Sequence, residues 1–363
     1  MPRCGDCAAQ TNGEGGPVGR IPDPEAYDFV TFELPLNHHP PMKRSLTLLL
    51  LALLPVASTT RADEVVKVDD SIPAYQQVSG ISGSLNSIGS DTLNNLMTLW
   101  AESFKAKYPN INIQIEGKGS STAPVALIEG TAQLGPMSRE MKSEEIDGFE
   151  AKFGYKPLEV KVAIDALAVY VHKDNPIEGL TLKQVDSIFS STYKAGGTAI
   201  RTWGQAGLSG EWKDKEISKY GRNSASGTYG FFKDEALLKG DYDASVKEQP
   251  GSSAVVQGVA SDLAGIGYSG IGYKTSGVKA ISLGTEEGAL FAPTYDNCLN
   301  GDFPLSRFLY IYVNKNPEKP LDPLTLEFLK FVLSKEGQEV VVKDGYFPMP
   351  AEIVSEVSAE ISK

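Results

Sequence analysis

From residue 84 onward the hydrophobic positions follow two alternating periods. Leu93, Leu96, Met97, Trp100, Phe104 and Tyr108 recur at helical spacing, which predicts a helix that stops before Pro109-Asn110. Ile111, Ile113 and Ile115 then alternate with polar residues, the period of a strand. The segment Gly117 to Pro124 opens a second helix over Val125–Gly130, and Leu134 falls on a short buried strand. The run Val162–Val171 is almost continuously apolar, as expected of a strand covered on both faces. Beyond it the pattern predicts a helix near Leu182–Phe189, Trp203 in a loop and a strand ending near Gly221. A helix from Gly227 to Lys239, stopped by Gly240, and another over Ser253–Leu263 come next. A second apolar strand, Phe308–Val313, precedes a helix over Leu324–Ser334.

Strands alternating with helices define an α/β chain, for which parallel sheets are expected. The two long apolar strands, one mid-chain and one late, predict two crossings between lobes. Lobe I then comprises 83–165 and 306–363, and lobe II comprises 166–305. Residues 63–82 are polar and irregular and are expected to form a flexible lead-in. Before them, Met42-Lys43-Arg44, the apolar run Ser45–Leu54, Pro55 and Thr60-Arg61-Ala62 follow the order of a secretory signal peptide. The run is too short to span a bilayer, which takes ~20 apolar residues. A signal belongs at the start of a chain, so 42–62 is expected to be the signal and 1–41 a misassigned extension. The cleavage point lacks a cysteine, which predicts an exported protein without a lipid anchor.

Composition narrows the function. Charged residues make up 22% and hydrophobic ones 41%, which excludes a disordered polymer and an integral membrane protein. The net charge of −12 argues against a general nucleic-acid binder, because displacing counterions from phosphates needs a surplus of Lys and Arg. It leaves room for a buried site for one small anion, since local donors outweigh net charge at short range. Cys4 and Cys7, with His38-His39, lack the second pair that a zinc finger needs. Once 1–62 is set aside, Cys298 is the one cysteine and His172 the one histidine. No metal, cofactor or catalytic residue is therefore expected. His172 is expected at a strand end on the surface.

The chemistry gathers in three hydroxyl-rich segments, each lying between a strand and a helix. They are Gly89-Ser90-Asp91-Thr92, Gly119-Ser120-Ser121-Thr122, and Arg222 to Thr228 with Ser226 and Gly227 inside it. Each brings free N–H groups and hydroxyls to the positive end of a helix dipole, an arrangement that receives small anions. Any one of them could be a plain N-cap. Three in one chain, the third carrying an arginine, point to one converging anion site. Arg222 can give two parallel hydrogen bonds to a tetrahedral oxyanion, the alternative being a surface ion pair.

These segments also carry a resemblance that covers nearly all of 83–350. The chain resembles the periplasmic phosphate-binding proteins of Pst-type ABC uptake systems. The matching elements are Gly-Ser-Asp-Thr at 89–92, Gly-Ser-Ser at 119–121, Leu-Gly-Pro-Met-Ser-Arg at 134–139, Arg222 with Ser-Gly-Thr at 226–228, and Ala-Gly-Ile-Gly-Tyr at 264–268. The resemblance implies a type II periplasmic binding protein fold, in which two α/β lobes joined by two strand crossovers close on dehydrated phosphate. It implies donors from Ser90, Thr92, Ser120, Ser138, Ser226, Gly227 and Thr228, with Arg222 supplying charge. The family's usual threonine in the first loop aligns with Asp91 or, after a one-residue slip, with Thr92. The family carboxylate that accepts a proton from phosphate is Ser138 here, beside Arg139, so Asp91 is expected to supply the acceptor. The other reading of Asp91 is a helix N-cap. Implied partners are inorganic phosphate, a membrane permease and its cytosolic ATPase, with the protein a monomer in the periplasm. Rival readings are a secreted phosphatase on the same scaffold and a carrier of another oxyanion such as sulfate. The single histidine and the lack of a dense carboxylate cluster speak against the phosphatase.

Overall fold

The computed structural model describes residues 66–285 and 288–363. The expectations for 1–41, for 42–62 and for the start of 63–82 lie outside the described residues. In chain order the elements begin with β1 (Gly83–Ile88), α1 (Asn94–Lys107), β2 (Ile111–Glu116), α2 (Thr122–Glu129), β3 (Gly135–Met137), α3 (Ser143–Phe153) and β4 (Leu158–His172). They continue with β5 (Gly179–Thr181), α4 (Leu182–Phe189), β6 (Ser218–Arg222), α5 (Gly227–Glu235), β7 (Lys247–Gln249), α6 (Ser252–Ala260) and β8 (Gly265–Gly270). The chain closes with β9 (Val278–Ala280), β10 (Ser282–Gly284), α7 (Tyr295–Leu299), β11 (Ser306–Val313), α8 (Pro323–Leu333), α9 (Lys335–Lys343) and α10 (Ala351–Ile361).

Local chemistry sets many of these boundaries. Gly130 and Gly154 end α2 and α3 in the left-handed conformation, at φ 71° and 81°. Thr181 and Gln184 form a capping box at the start of α4, and Asp322 caps α8 with Pro323 in its first turn. Two expected helices are shorter than the pattern suggests. The helix from Gly227 ends at Glu235, because Leu238 and Lys239 take positive φ, and the helix expected to reach Leu263 ends at Ala260.

β4 organises the molecule. Val162 to Val171 are all buried, and Asp165 is the one charged residue among them. The strand changes partner midway: Leu158–Ala166 pair with β11, and Leu167–Val171 pair with β8. The sheet runs β3-β11-β4-β8-β6-β7, with β9 also on β4. Contrary to the expected parallel sheets, β4 is antiparallel to both β11 and β8, while β6 is parallel to β7 and β8. The reason is topological. A chain that leaves one lobe on β4 and returns on β11 must run those neighbours in opposite directions. The result is two α/β lobes joined by two strand crossovers.

Residues 66–82 differ from the flexible lead-in expected for 63–82. Ile72 is buried, and the Lys335 amide donates to the Pro73 carbonyl at 2.9 Å. Tyr75 Oη lies 2.7 Å from Tyr108 Oη and donates to Glu327 at 2.8 Å. The segment is a strap over α1, α8 and α9. His172 ends β4 as expected, but its side chain is only 15% exposed rather than a surface residue.

Asp344, at the C-terminus of α9, gives a pH signature. Burial pushes its carboxyl up from 3.8 to about 7, and a carboxylate also opposes the negative end of the helix dipole. A raised pKa means that the folded state holds this proton more tightly than the unfolded one. The advantage is present below pH 4 and is lost as the pH climbs toward 7. Asp344→Asn should flatten that part of the stability profile and raise the melting temperature at pH 8 by roughly 2–4 °C for each kcal/mol recovered. Thermal melts of parent and variant from pH 4 to 8 check this, and superimposable profiles would refute it.

Candidate anion-binding site

Four hydroxyls of the site each accept a hydrogen bond from a fixed N–H. Ser90 caps the turn Asp91–Leu93, its Oγ taking the Thr92 amide at 3.2 Å. Ser120, just before α2, accepts from the Ser138 amide at 3.1 Å. Ser226 caps α5 and accepts from the Tyr229 amide at 3.4 Å. Thr228, in the first turn of α5, accepts from Arg307 Nη2 at 3.0 Å. An oxygen engaged in this way keeps its own proton to give, so the set is a set of donors.

The hydroxyls also meet one another. Ser90 Oγ donates to Ser138 Oγ at 3.0 Å, Ser120 Oγ lies 3.3 Å from Ser138 Oγ, and Thr92 Oγ1 lies 2.8 Å from Thr228 Oγ1. Ser90, Thr92, Ser120, Ser138, Ser226 and Thr228 are all buried. Two glycines allow the loops to approach. A Cβ on Gly227 would collide with Ser120 Oγ and lie 2.8 Å from Ser138 Oγ. Gly119 takes φ +110°, and a Cβ there would sit 2.5 Å from the Ala225 carbonyl.

Arg222, at the end of β6, is 2% exposed and so is not the surface ion pair of the alternative reading. Its Nη1 donates to Ser252 Oγ at 2.7 Å, and its Nη2 lies 3.2 Å from Asp91 Oδ2. Its Nε is buried with no hydrogen-bond partner among the described residues, which leaves a charged donor for a ligand. Burial draws the guanidinium below its usual pKa against the pull of Asp91, yet arginine remains charged at any working pH.

Asp91 does not cap its own helix, because Ser90 does. It turns to α6 instead, where Oδ2 accepts from the Ser252 amide at 2.8 Å and so caps that helix. Oδ1 makes no hydrogen bond among the described residues. Arg139 turns away from the hydroxyls. It grips Glu145 with two bonds of 2.8 and 2.7 Å and fixes the start of α3.

Three residues at or behind the site are not singled out by the sequence patterns: Ser252, Asp165 and Arg307. Arg307 is buried and bonds Asp165 Oδ2 through Nε at 2.9 Å and Nη2 at 2.8 Å. A lone aspartate inside an apolar strand was the readable signal, since a buried charge needs a partner. Each guanidinium thus has its own carboxylate. No group of three or more His, Cys, Asp or Glu side chains is placed to hold a metal ion among the described residues.

Two α/β lobes on crossing strands, carrying a buried cluster of hydroxyl donors, define the class of solute-binding proteins. Comparison with known proteins agrees: residues 74–336 match the PBP superfamily domain. The chain is 59% identical over 307 residues to the phosphate-binding protein PstS of Pseudomonas aeruginosa, covering 84% of this chain and 95% of that one. It is 31% identical over 262 residues to PstS of Staphylococcus epidermidis, covering 71% and 77% of the two chains. Among solved structures it is similar to a putative phosphate ABC transporter substrate-binding protein with bound phosphate from Clostridium perfringens. That match has a TM-score of 0.62 and 28% identity, over 74% of this chain and all of the other. An ABC-type phosphate transport receptor from Vibrio cholerae gives 0.58 and 25% over 73% of this chain and all of that one. The chain belongs to the PstS family of phosphate-binding proteins.

Proposed function

We propose that this chain binds inorganic phosphate and is the substrate-binding component of an ABC-type phosphate importer. The observation that carries the reading is the buried donor set around Ser90, Thr92, Ser120, Ser138 and Thr228, with the free Nε of Arg222 beside it, in a chain of this family. Ser226 and the amides at Gly227 and Thr228 complete the donors. Asp91, through Oδ1, accepts the proton that phosphate keeps near neutral pH. The change of partner along β4 at Ala166–Leu167 supports lobes of 83–165 with 306–363 and of 166–305. Phosphate bridges them, and closure follows from its higher affinity for the closed form.

The role is that of a carrier, and no bond is made or broken. No described helix is long and apolar enough to cross a membrane. With 42–62 as a signal peptide, the protein works in the periplasm as a monomer. It hands phosphate to a membrane permease driven by a cytosolic ATPase. Calorimetry on the purified chain should show one-to-one binding of phosphate, weaker binding of arsenate and none of sulfate, with no phosphate released from a monoester. Absence of phosphate binding, or steady turnover of the monoester, would overturn the reading.

A further inference from the structure

We infer that Arg307, anchored by Asp165, is a positioning residue that couples hinge closure to the retention of phosphate. The inference rests on the phosphate reading above. Arg307 and Asp165 are direct cross-strand partners in the β4–β11 ladder, one residue before β4 exchanges β11 for β8. The pair therefore sits where both crossing strands pass between the lobes. Asp165 is fully buried, and its Oδ1 accepts from the Ile271 amide at 2.9 Å.

Stability alone does not account for this pair. Two charges brought out of water lose hydration that their attraction barely repays, and a packed apolar pair would join the strands as well. What distinguishes the guanidinium is the use of its remaining prongs. Nη1 donates to the Ser138 carbonyl at 2.7 Å, on the lobe I side. Nη2 donates to Thr228 Oγ1 at 3.0 Å, on the first turn of α5 in lobe II. The group also lies 5.2 Å from the centre of the Phe231 ring, one turn further along α5. Arg307 is thus fixed to the hinge and to lobe I, and it meets lobe II through Thr228 and Phe231.

Two consequences follow from that geometry. The bond to Thr228 spans the lobes, so it exists only when they are together and favours the closed state. It also occupies a lone pair of Thr228 Oγ1, which commits the hydroxyl proton to an acceptor in the site. Polarisation by a charged donor strengthens the bond that Thr228 gives to the anion. Loss of Arg307 should therefore speed opening and release more than it slows capture.

The test is stopped-flow phosphate binding and release on the full chain, alongside calorimetry and thermal melts without phosphate. Arg307→Met should raise the phosphate off-rate by about 10-fold or more and change the on-rate by less than about threefold. Arg307→Lys keeps a charge beside Asp165 but cannot reach Ser138 and Thr228 together. It should melt like the parent without phosphate and still release phosphate faster. In a double-mutant cycle, Arg307→Met should add little to the loss already caused by Thr228→Val, because the two act through one bond. An unchanged off-rate in the lysine variant, or full additivity in the cycle, would overturn the proposal. Failure of the parent to bind phosphate would instead overturn the functional reading on which it rests.

Discussion

Arg222→Lys is expected to lower phosphate affinity by at least ~10-fold, with little change in melting temperature without ligand. The guanidinium divides its donors among Ser252 Oγ, Asp91 Oδ2 and the open position at Nε. A lysine ammonium ends the same stem as a point charge and cannot serve three directions from a plane. One or two charge-assisted bonds at roughly 1.5–3 kcal/mol each are lost from the closed form. At about 1.4 kcal/mol per factor of ten, this corresponds to ~10-fold to 100-fold or more. The backbone of Arg222 is held independently, its amide donating to Tyr268 Oη at 3.2 Å, so β6 should stay in place. Calorimetry with phosphate reads the loss directly, and unchanged affinity would remove Arg222 from the site.

Asp91→Asn should make the protein bind sulfate while weakening phosphate. Both anions are tetrahedral and similar in size, but near neutral pH phosphate keeps at least one proton and sulfate keeps none. A carboxylate oxygen with no other partner can accept a hydrogen bond from that proton. Against sulfate the same oxygen sets two acceptors face to face with no proton between them, which disfavours that anion. An asparagine amide removes the repulsion and can donate. Its carbonyl can still take the Ser252 amide, so the cap on α6 survives. Phosphate binding falls because the phosphate proton loses its acceptor and Arg222 loses the carboxylate that orients it. The two roles of Asp91 are separable in one experiment. If Asp91 only steers Arg222, phosphate affinity drops and sulfate is still rejected, an outcome that would falsify the acceptor role.

The sequence by itself determined the elements and the kind of chemistry. Helical spacing from Leu93 to Tyr108, alternation at Ile111, Ile113 and Ile115, and the apolar run at Val162–Val171 match α1, β2 and β4, because burial on one face or on two leaves a local periodic trace. The hydroxyl-rich loops were legible for a similar reason, since helix starts need donors and acceptors that the chain writes in Ser, Thr, Asp and Gly. Val354, Val357 and Ile361 of α10 lie at helical spacing in the same way. Other facts had no local trace. The antiparallel pairing of β4 with β11 depends on a return strand about 140 residues away, a register that no short-range period encodes. Asp91 has two local readings, an acceptor for the phosphate proton and a helix cap, and neither foretells that Arg222 and Ser252, more than 130 residues away, claim its carboxylate. Arg139 stands beside Ser138 in the chain but serves α3, while Arg307 stands 79 residues from Thr228 and touches it. Side-chain direction and long-range partner choice are settled by how the lobes pack, so these assignments came only with the tertiary structure.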